Sequence, residues 1–121
     1  MKVAISAKGV SLESEVDQRF GRAKYFLVCD TENGSTDAHS NYVNLNAMQG
    51  AGIQSAANVA GLGVEAVLTG HVGPNSFRAL SAAGIKVYTG FTGTVEQALE
   101  DLKAGKLTPV DSADVEGHWM I

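Results

Sequence analysis

From Val64 onward the chain repeats one pattern: a short apolar run, a glycine turn, then apolar positions recurring every three or four residues. The runs Val64–Thr69 and Ile85–Tyr88 are too short for helices and rich in β-branched residues, so they predict strands. Between them, Pro74 or Asn75 opens a helix through Phe77, Leu80 and Ala83 that Gly84 stops. After the second run, Thr94 with Gln97 three residues on forms a capping box. Val95, Ala98, Leu99 and Leu102 then give the buried face of a last helix ending at Gly105. Strand–helix alternation of this kind requires parallel strands joined by helical crossovers.

The first half reads differently. Val3–Ala7 is a short β-branched run, buried on both faces if it is central. Lys8–Lys24, with glycines and alternating charge, reads as a long loop, and Tyr25–Thr31 is strand again. Asn33-Gly34 is a hairpin turn signal with two positive φ angles, which makes the polar segment Thr36–Leu45 the antiparallel partner at a sheet edge. From about Gly50 the period changes to that of a helix, with Ile53, Ala56, Ala57 and Ala60 as its small-residue face and Gly61 and Gly63 as its end. The expected fold is therefore α/β: a single domain with a mixed sheet and helices on both faces. Residues 1–106 form that domain, and 107–121 are a tail ordered in part at most, with Trp119 as a pin.

A chain of 121 residues can bury a core without disulfide or metal staples. No apolar run approaches the roughly 18 residues of a membrane span, and the opening Met1–Lys8 has no signal-peptide core, so a cytoplasmic protein with no membrane partner is expected. A lone Cys29 fits a reducing compartment and excludes a four-cysteine iron–sulfur or zinc site within one chain. The formal charge of −4 argues against general nucleic-acid binding. The bases are unevenly placed, however: Lys8, Arg19, Arg22 and Lys24 crowd the first loop, whereas Asp111, Asp114 and Glu116 make the end acidic.

That first loop carries the strongest chemical signal. Arg19 and Arg22 offer planar five-donor forks, Gly21 permits close backbone approach, and the strand from Tyr25 fixes them together with Lys24. Such a loop suits a small anion. The competing reading is that Glu13, Glu15 and Asp17 neutralise these bases on a solvated surface. A second wall is offered by Thr69-Gly70-His71-Val72-Gly73-Pro74-Asn75, between a strand's carboxyl end and a helix's amino end, where free amides attract anions. It lacks the lysine of a nucleotide-binding phosphate loop. His71 reads either as a turn residue with local hydrogen bonds or as a metal ligand. Phe91-Thr92-Gly93-Thr94 is the parallel junction at the next strand, with capping alone enough to explain Thr94. Met48 is a soft sulfur that copper(I) could use or a gap-filler; Cys29 reads as a buried, inert thiol. His39 and His118 have no second ligand at metal-binding spacing. No Gly-x-Ser-x-Gly elbow is present, and the first strand offers Ser6 where metal-dependent nucleases place a carboxylate, so no enzyme is expected.

Val16-Asp17-Gln18-Arg19-Phe20-Gly21-Arg22-Ala23, together with Leu68–Asn75 and Gly90–Ala98, resembles the nitrogenase iron–molybdenum cofactor biosynthesis family of NifX-like and NifB C-terminal-like small domains. The resemblance covers nearly the whole chain. It implies a ribonuclease-H-like architecture and non-covalent binding of a preformed metal–sulfur cluster, of the iron–molybdenum type or a molybdenum–copper sulfide. The cluster-binding residues it points to are Arg19, Arg22, Lys24, Gly70, His71, Gly73, Asn75 and Thr92, with His71 as the candidate metal ligand. Cluster donor or acceptor proteins would be the partners. The ending Asp114–Met120 resembles the orange-protein branch of the family. Cofactor carriers of the nitrogenase branch place a metal-ligating histidine where this chain has Arg19, so coordination at that position does not carry over. The alternative is a metal-free regulatory or protein-binding module whose basic loop grips a partner or a phosphate.

Overall fold

Every residue of β1 (Lys2–Ala7) after Lys2 is buried, which places this strand at the centre of the sheet. The computed structural model describes residues 1–41 and 50–113, so Met48, His118, Trp119 and the ending Asp114–Met120 lie outside the described residues. The other strands are β2 (Tyr25–Asp30), β3 (Thr36–Ser40), β4 (Ala66–Leu68) and β5 (Lys86–Tyr88). They form one five-stranded sheet in the order β3-β2-β1-β4-β5. β1 pairs antiparallel with β2 and β2 with β3, whereas β1, β4 and β5 run parallel. The sheet is mixed, as the sequence pattern predicts. Three helices, α1 (Ala51–Ala60), α2 (Pro74–Ala82) and α3 (Val95–Lys103), complete the α/β domain.

Strand alternation sorts the core into two layers. Ala4, Phe26, Val28, Val67 and Val87 face α1 and α2. Val3, Ile5, Leu27, Ala66 and Leu68 face the buried side of α3. Helices therefore cover both faces. The end of the described chain passes from one layer to the other: Leu107 packs on the α3 side and Val110 on the α1–α2 side. Val110 N donates to Val87 O at 2.8 Å and so occupies part of the β5 edge.

α3 is the helix the sequence specifies best. Thr94 Oγ1 accepts from Gln97 N while the Gln97 side chain accepts from Thr94 N, and Val95, Ala98, Leu99 and Leu102 are buried. Thr94→Ala removes the reciprocal cap and is expected to lower stability by about 1 kcal/mol, read from the urea midpoint at unchanged m-value. A loss under a few tenths would mean that the neighbouring loop alone fixes this helix start.

Other local expectations change. α1 buries Ala51, Ser55, Ala56 and Val59, while Ile53 is 49% exposed and Ala57 and Ala60 are exposed. The small-residue face is rotated from the predicted one because Ser55 is drawn inward by buried hydrogen bonds that hydropathy cannot register. In α2, Leu80 is buried and Phe77 packs against the core, but Ala83 is exposed and lies just beyond the helix. The β2–β3 turn has one positive φ, at Gly34, and Asn33 has none. Asn33 instead accepts a hydrogen bond from Ser35 N on its side chain, and Gly34 N reaches Asp30 O, closing a longer loop than a two-residue turn. Finally, the segment read as a long loop, Lys8–Lys24, contributes three core side chains, Val16, Phe20 and Ala23. The Phe20 ring stands 5.2 Å from that of Phe26, and burying such a ring contributes about 1.5–3 kcal/mol.

Candidate functional site

Because β1, β4 and β5 are parallel, their carboxyl ends share one end of the sheet. Ala7 pairs with Tyr25 and Tyr25 with Ser40, so β2 begins and β3 ends there too. The basic loop 8–24 and the junctions 69–73 and 89–94 therefore converge by topology alone.

Backbone pairing then locks the loop onto the glycine turn. Arg19 and His71 form an isolated parallel bridge: His71 N donates to Gln18 O at 2.8 Å and Phe20 N to His71 O at 3.3 Å. Ser6, buried at the end of β1, lies 2.7 Å from both the Asp17 carbonyl and Thr69 Oγ1. This serine ties the start of the loop to the end of β4. The Asp17 carboxylate accepts from Arg19 N at 3.1 Å. It shapes the turn at Arg19.

Gly70 is required by space. A Cβ there would stand 2.7 Å from Gln18 Cα, and Gln18 Oε1 is also in contact. Gln18 Nε2 in turn donates to Phe91 O at 3.1 Å, while Gly90 N donates to Gly70 O at 2.7 Å. Gln18 thus joins all three junctions, a role its sequence context did not announce.

The second half of the loop is fastened to α1. Ser55 Oγ donates to Gly21 O at 2.9 Å, Asn41 Nδ2 donates to Ala23 O at 2.9 Å, and Asn41 N donates to Lys24 O at 2.8 Å. Both Asn41 and Ser55 are fully buried, and a buried amide and hydroxyl without these partners would each cost about 1–3 kcal/mol. The negative ends of three loop peptides are drawn inward, and Gly21 rests so closely on α1 that a Cβ would stand 2.9 Å from Gly52 N and Cα. The only trace of this network in the sequence is that Ser55 falls between Ala51 and Val59 at four-residue spacing.

Arg19 and Lys24 are exposed and Arg22 is half-buried. Glu15 pairs with Lys8 at 3.3 Å, and among the described residues neither Arg19 nor Lys24 is in an ion pair. Neither base is therefore held in a direct ion pair with Glu13, Glu15 or Asp17. Gly70 and Gly73 are buried, His71 is half-buried, and Asn75 is exposed in the first turn of α2. Thr92 is exposed in the third junction, where the helix start is already occupied: Val95 N donates to Ser14 O and Glu96 N to Leu12 O, each at 2.9 Å. That junction offers a hydroxyl rather than free amides.

Cys29 and His39 stand apart. Cys29 pairs with Val3 at the opposite end of the sheet and is buried, and burial pushes its thiol pKa up. His39 lies on the edge strand. Among the described residues no three His, Cys, Asp or Glu side chains stand together as a metal-binding set. A groove of about 360 Å³ lined by Met1, Val64, Glu65, Gly84 and Lys86 lies beyond the amino ends of the parallel strands, away from the basic loop. No helix among the described residues is long and apolar enough to cross a membrane.

The model of the family described as "Dinitrogenase iron-molybdenum cofactor" matches residues 1–105, from β1 through the end of α3. The chain belongs to this family. Among solved structures it is similar to the apo form of the orange protein from Desulfovibrio gigas, at 36% identity and a TM-score of 0.92, covering 94% of this chain and 96% of that one. It is also similar to a Thermotoga protein described as a putative NifB protein, at 36% identity and a TM-score of 0.82, covering 96% and 98%. An uncharacterised protein of Methanocaldococcus jannaschii is 28% identical over 109 residues, 88% of this chain and 89% of the relative. The family assignment agrees with the resemblance carried by the Arg19 loop and the Gly70 turn.

Proposed function

We propose that the chain binds an anionic metal–sulfur cluster without covalent attachment and serves as its carrier, store or assembly platform. The observation that carries this reading is the Arg19–His71 bridge, which makes the basic loop and the glycine turn one surface at the carboxyl end of the parallel strands. Arg19, Arg22 and Lys24 supply positive charge to a sulfide-rich cargo, and amides of the glycine turn not already bonded within the protein, such as Asn75 N at the start of α2, donate to its sulfurs. Hydrogen bonds of that kind also tune a cluster's potential. The donor set fits such a cargo. Cys29 is remote and buried, so what this end of the sheet offers is guanidinium, ammonium, amide and one imidazole. Among the described residues His71 is the imidazole there able to coordinate a metal directly, and Thr92 can add a hydroxyl.

The family and the likeness to the orange protein support a cofactor-related role. Within that role we take the cargo to be of the molybdenum–copper or iron–molybdenum type, received from and passed to protein partners in the cytoplasm, with no catalytic step. The strand order supports giving the sheet the ribonuclease-H-like name. Anaerobic purification followed by elemental analysis is the direct test. Molybdenum with copper or iron, and sulfide in matching amount, is the expected result, accompanied by visible absorbance. Colourless, metal-free protein that also takes up no cluster on reconstitution would refute the reading in favour of a metal-free module.

A further inference from the structure

α1 and α2 begin side by side, and among the described residues nothing finishes either start. Gly50 and Gly73 hold the N-cap positions without a side-chain cap, and neither first turn contains an acidic residue. The first donors onto the caps are Gln54 N to Gly50 O and Phe77 N to Gly73 O, each at 2.9 Å. The amides just before them, Gly52 and Ile53 on α1 and Asn75 and Ser76 on α2, have no intrahelical acceptor. α3 is the contrast, since Thr94, Ser14 and Leu12 take up its first amides.

A second observation points to a ligand. Ser76 is 2% exposed, yet among the described residues its hydroxyl has no hydrogen-bond partner, whereas every fully enclosed side-chain nitrogen or oxygen does have one. The Ser76 oxygen is therefore open to the crevice between the helices. It is also the atom nearest to where a Cβ on Gly52 would stand, so it faces the first turn of α1. On the other side of Gly52 lies Gly21, between Arg19 and Arg22.

We infer that the paired starts of α1 and α2, with the Ser76 hydroxyl between them, form a subsite for one small tetrahedral dianion. The inference rests on the reading above only in that this end of the sheet takes an anion. Each helix start carries about half a positive charge, so the two together offset about half the charge of a dianion, and the basic loop resting on Gly52 supplies further positive charge. Tetrahedral geometry lets different ligand atoms meet the two helix starts and the hydroxyl. Molybdate and sulfate have this form, and so does the terminal metal–sulfide unit of a larger cluster.

Amide NMR of the metal-free protein, titrated with sodium molybdate and separately with sodium sulfate against chloride at equal ionic strength, tests it. Saturable shifts at Gly52, Ile53, Asn75 and Ser76 are expected with the dianions and not with chloride. Ser76→Ala should weaken binding about tenfold, the loss of one hydrogen bond to a charged ligand, without lowering the melting temperature, because the hydroxyl makes no hydrogen bond to a described residue. Shifts with free molybdate identify a free oxyanion as the occupant; shifts only on reconstitution with a molybdenum–sulfide cluster identify the cluster's terminal unit. Silence at these amides in both arms overturns the subsite, as does a Ser76→Ala variant that binds as well as the parent. Protein that binds molybdate there but retains no cluster keeps the subsite and loses the proposed cargo. Cluster retention with silent amides does the reverse.

Discussion

Gly70→Ala is expected to lower stability by about 3 kcal/mol and to part the basic loop from the turn beneath it. The reason is steric: the new methyl would stand 2.7 Å from Gln18 Cα, a backbone atom held by the His71 N to Gln18 O bond. The backbone has no spare rotamer with which to yield, and inserting a methyl into such a contact costs about 1–3 kcal/mol or more. Relief by moving the loop would also strain the Arg19–His71 bridge and the Gln18 contact with Phe91. Gly90→Ala is the comparison, because Gly90 has φ +81 and open space around it. Its cost is the left-handed backbone alone, about 1–2 kcal/mol. Urea unfolding of both variants should rank Gly70→Ala clearly below Gly90→Ala. Equal midpoints would show that the contact between turn and loop is loose.

Arg19→Ala combined with Arg22→Ala should abolish cluster retention while leaving the fold in place. Each charge-assisted hydrogen bond to an anion contributes about 1.5–3 kcal/mol, so removing two corresponds to a loss of roughly a hundredfold or more in affinity. Stability should change by no more than about 1 kcal/mol, since Arg19 is exposed and outside any ion pair and Arg22 is half-buried. The measurement is visible absorbance and metal content of reconstituted protein after gel filtration, with Lys103→Ala combined with Lys106→Ala, both exposed at the far end of α3, as the charge-matched control. Retention in the parent should also weaken as salt is raised, because the cationic side chains are exposed. Undiminished absorbance in the double variant would sink the electrostatic mechanism.

How much of this was legible beforehand varies element by element. α3 was readable in full because its cap and its apolar face both lie within a dozen consecutive residues. The parallel strands were readable because short β-branched runs flanked by glycines have few other uses. α1 was misjudged in its face: an alanine-rich helix has almost no hydropathy contrast, so the hydrogen bonds of Ser55 and the packing of Gly52, not side-chain greasiness, set its rotation. Phe20 was hidden in the same manner, as one ring among charged neighbours in a stretch without period.

The order of elements, the mixed sheet and the presence of a basic loop beside a glycine turn follow from the sequence, because they depend on local pattern and on rules of strand connection that need no long-range detail. The site's assembly does not. Which carbonyls the loop turns inward, which helix starts the chain leaves unfinished, and why Gly21, Gly52 and Gly70 must lack side chains depend on contacts between residues tens of positions apart. A glycine needed for a close approach looks in sequence like one needed for a turn; only the opposing backbone tells them apart.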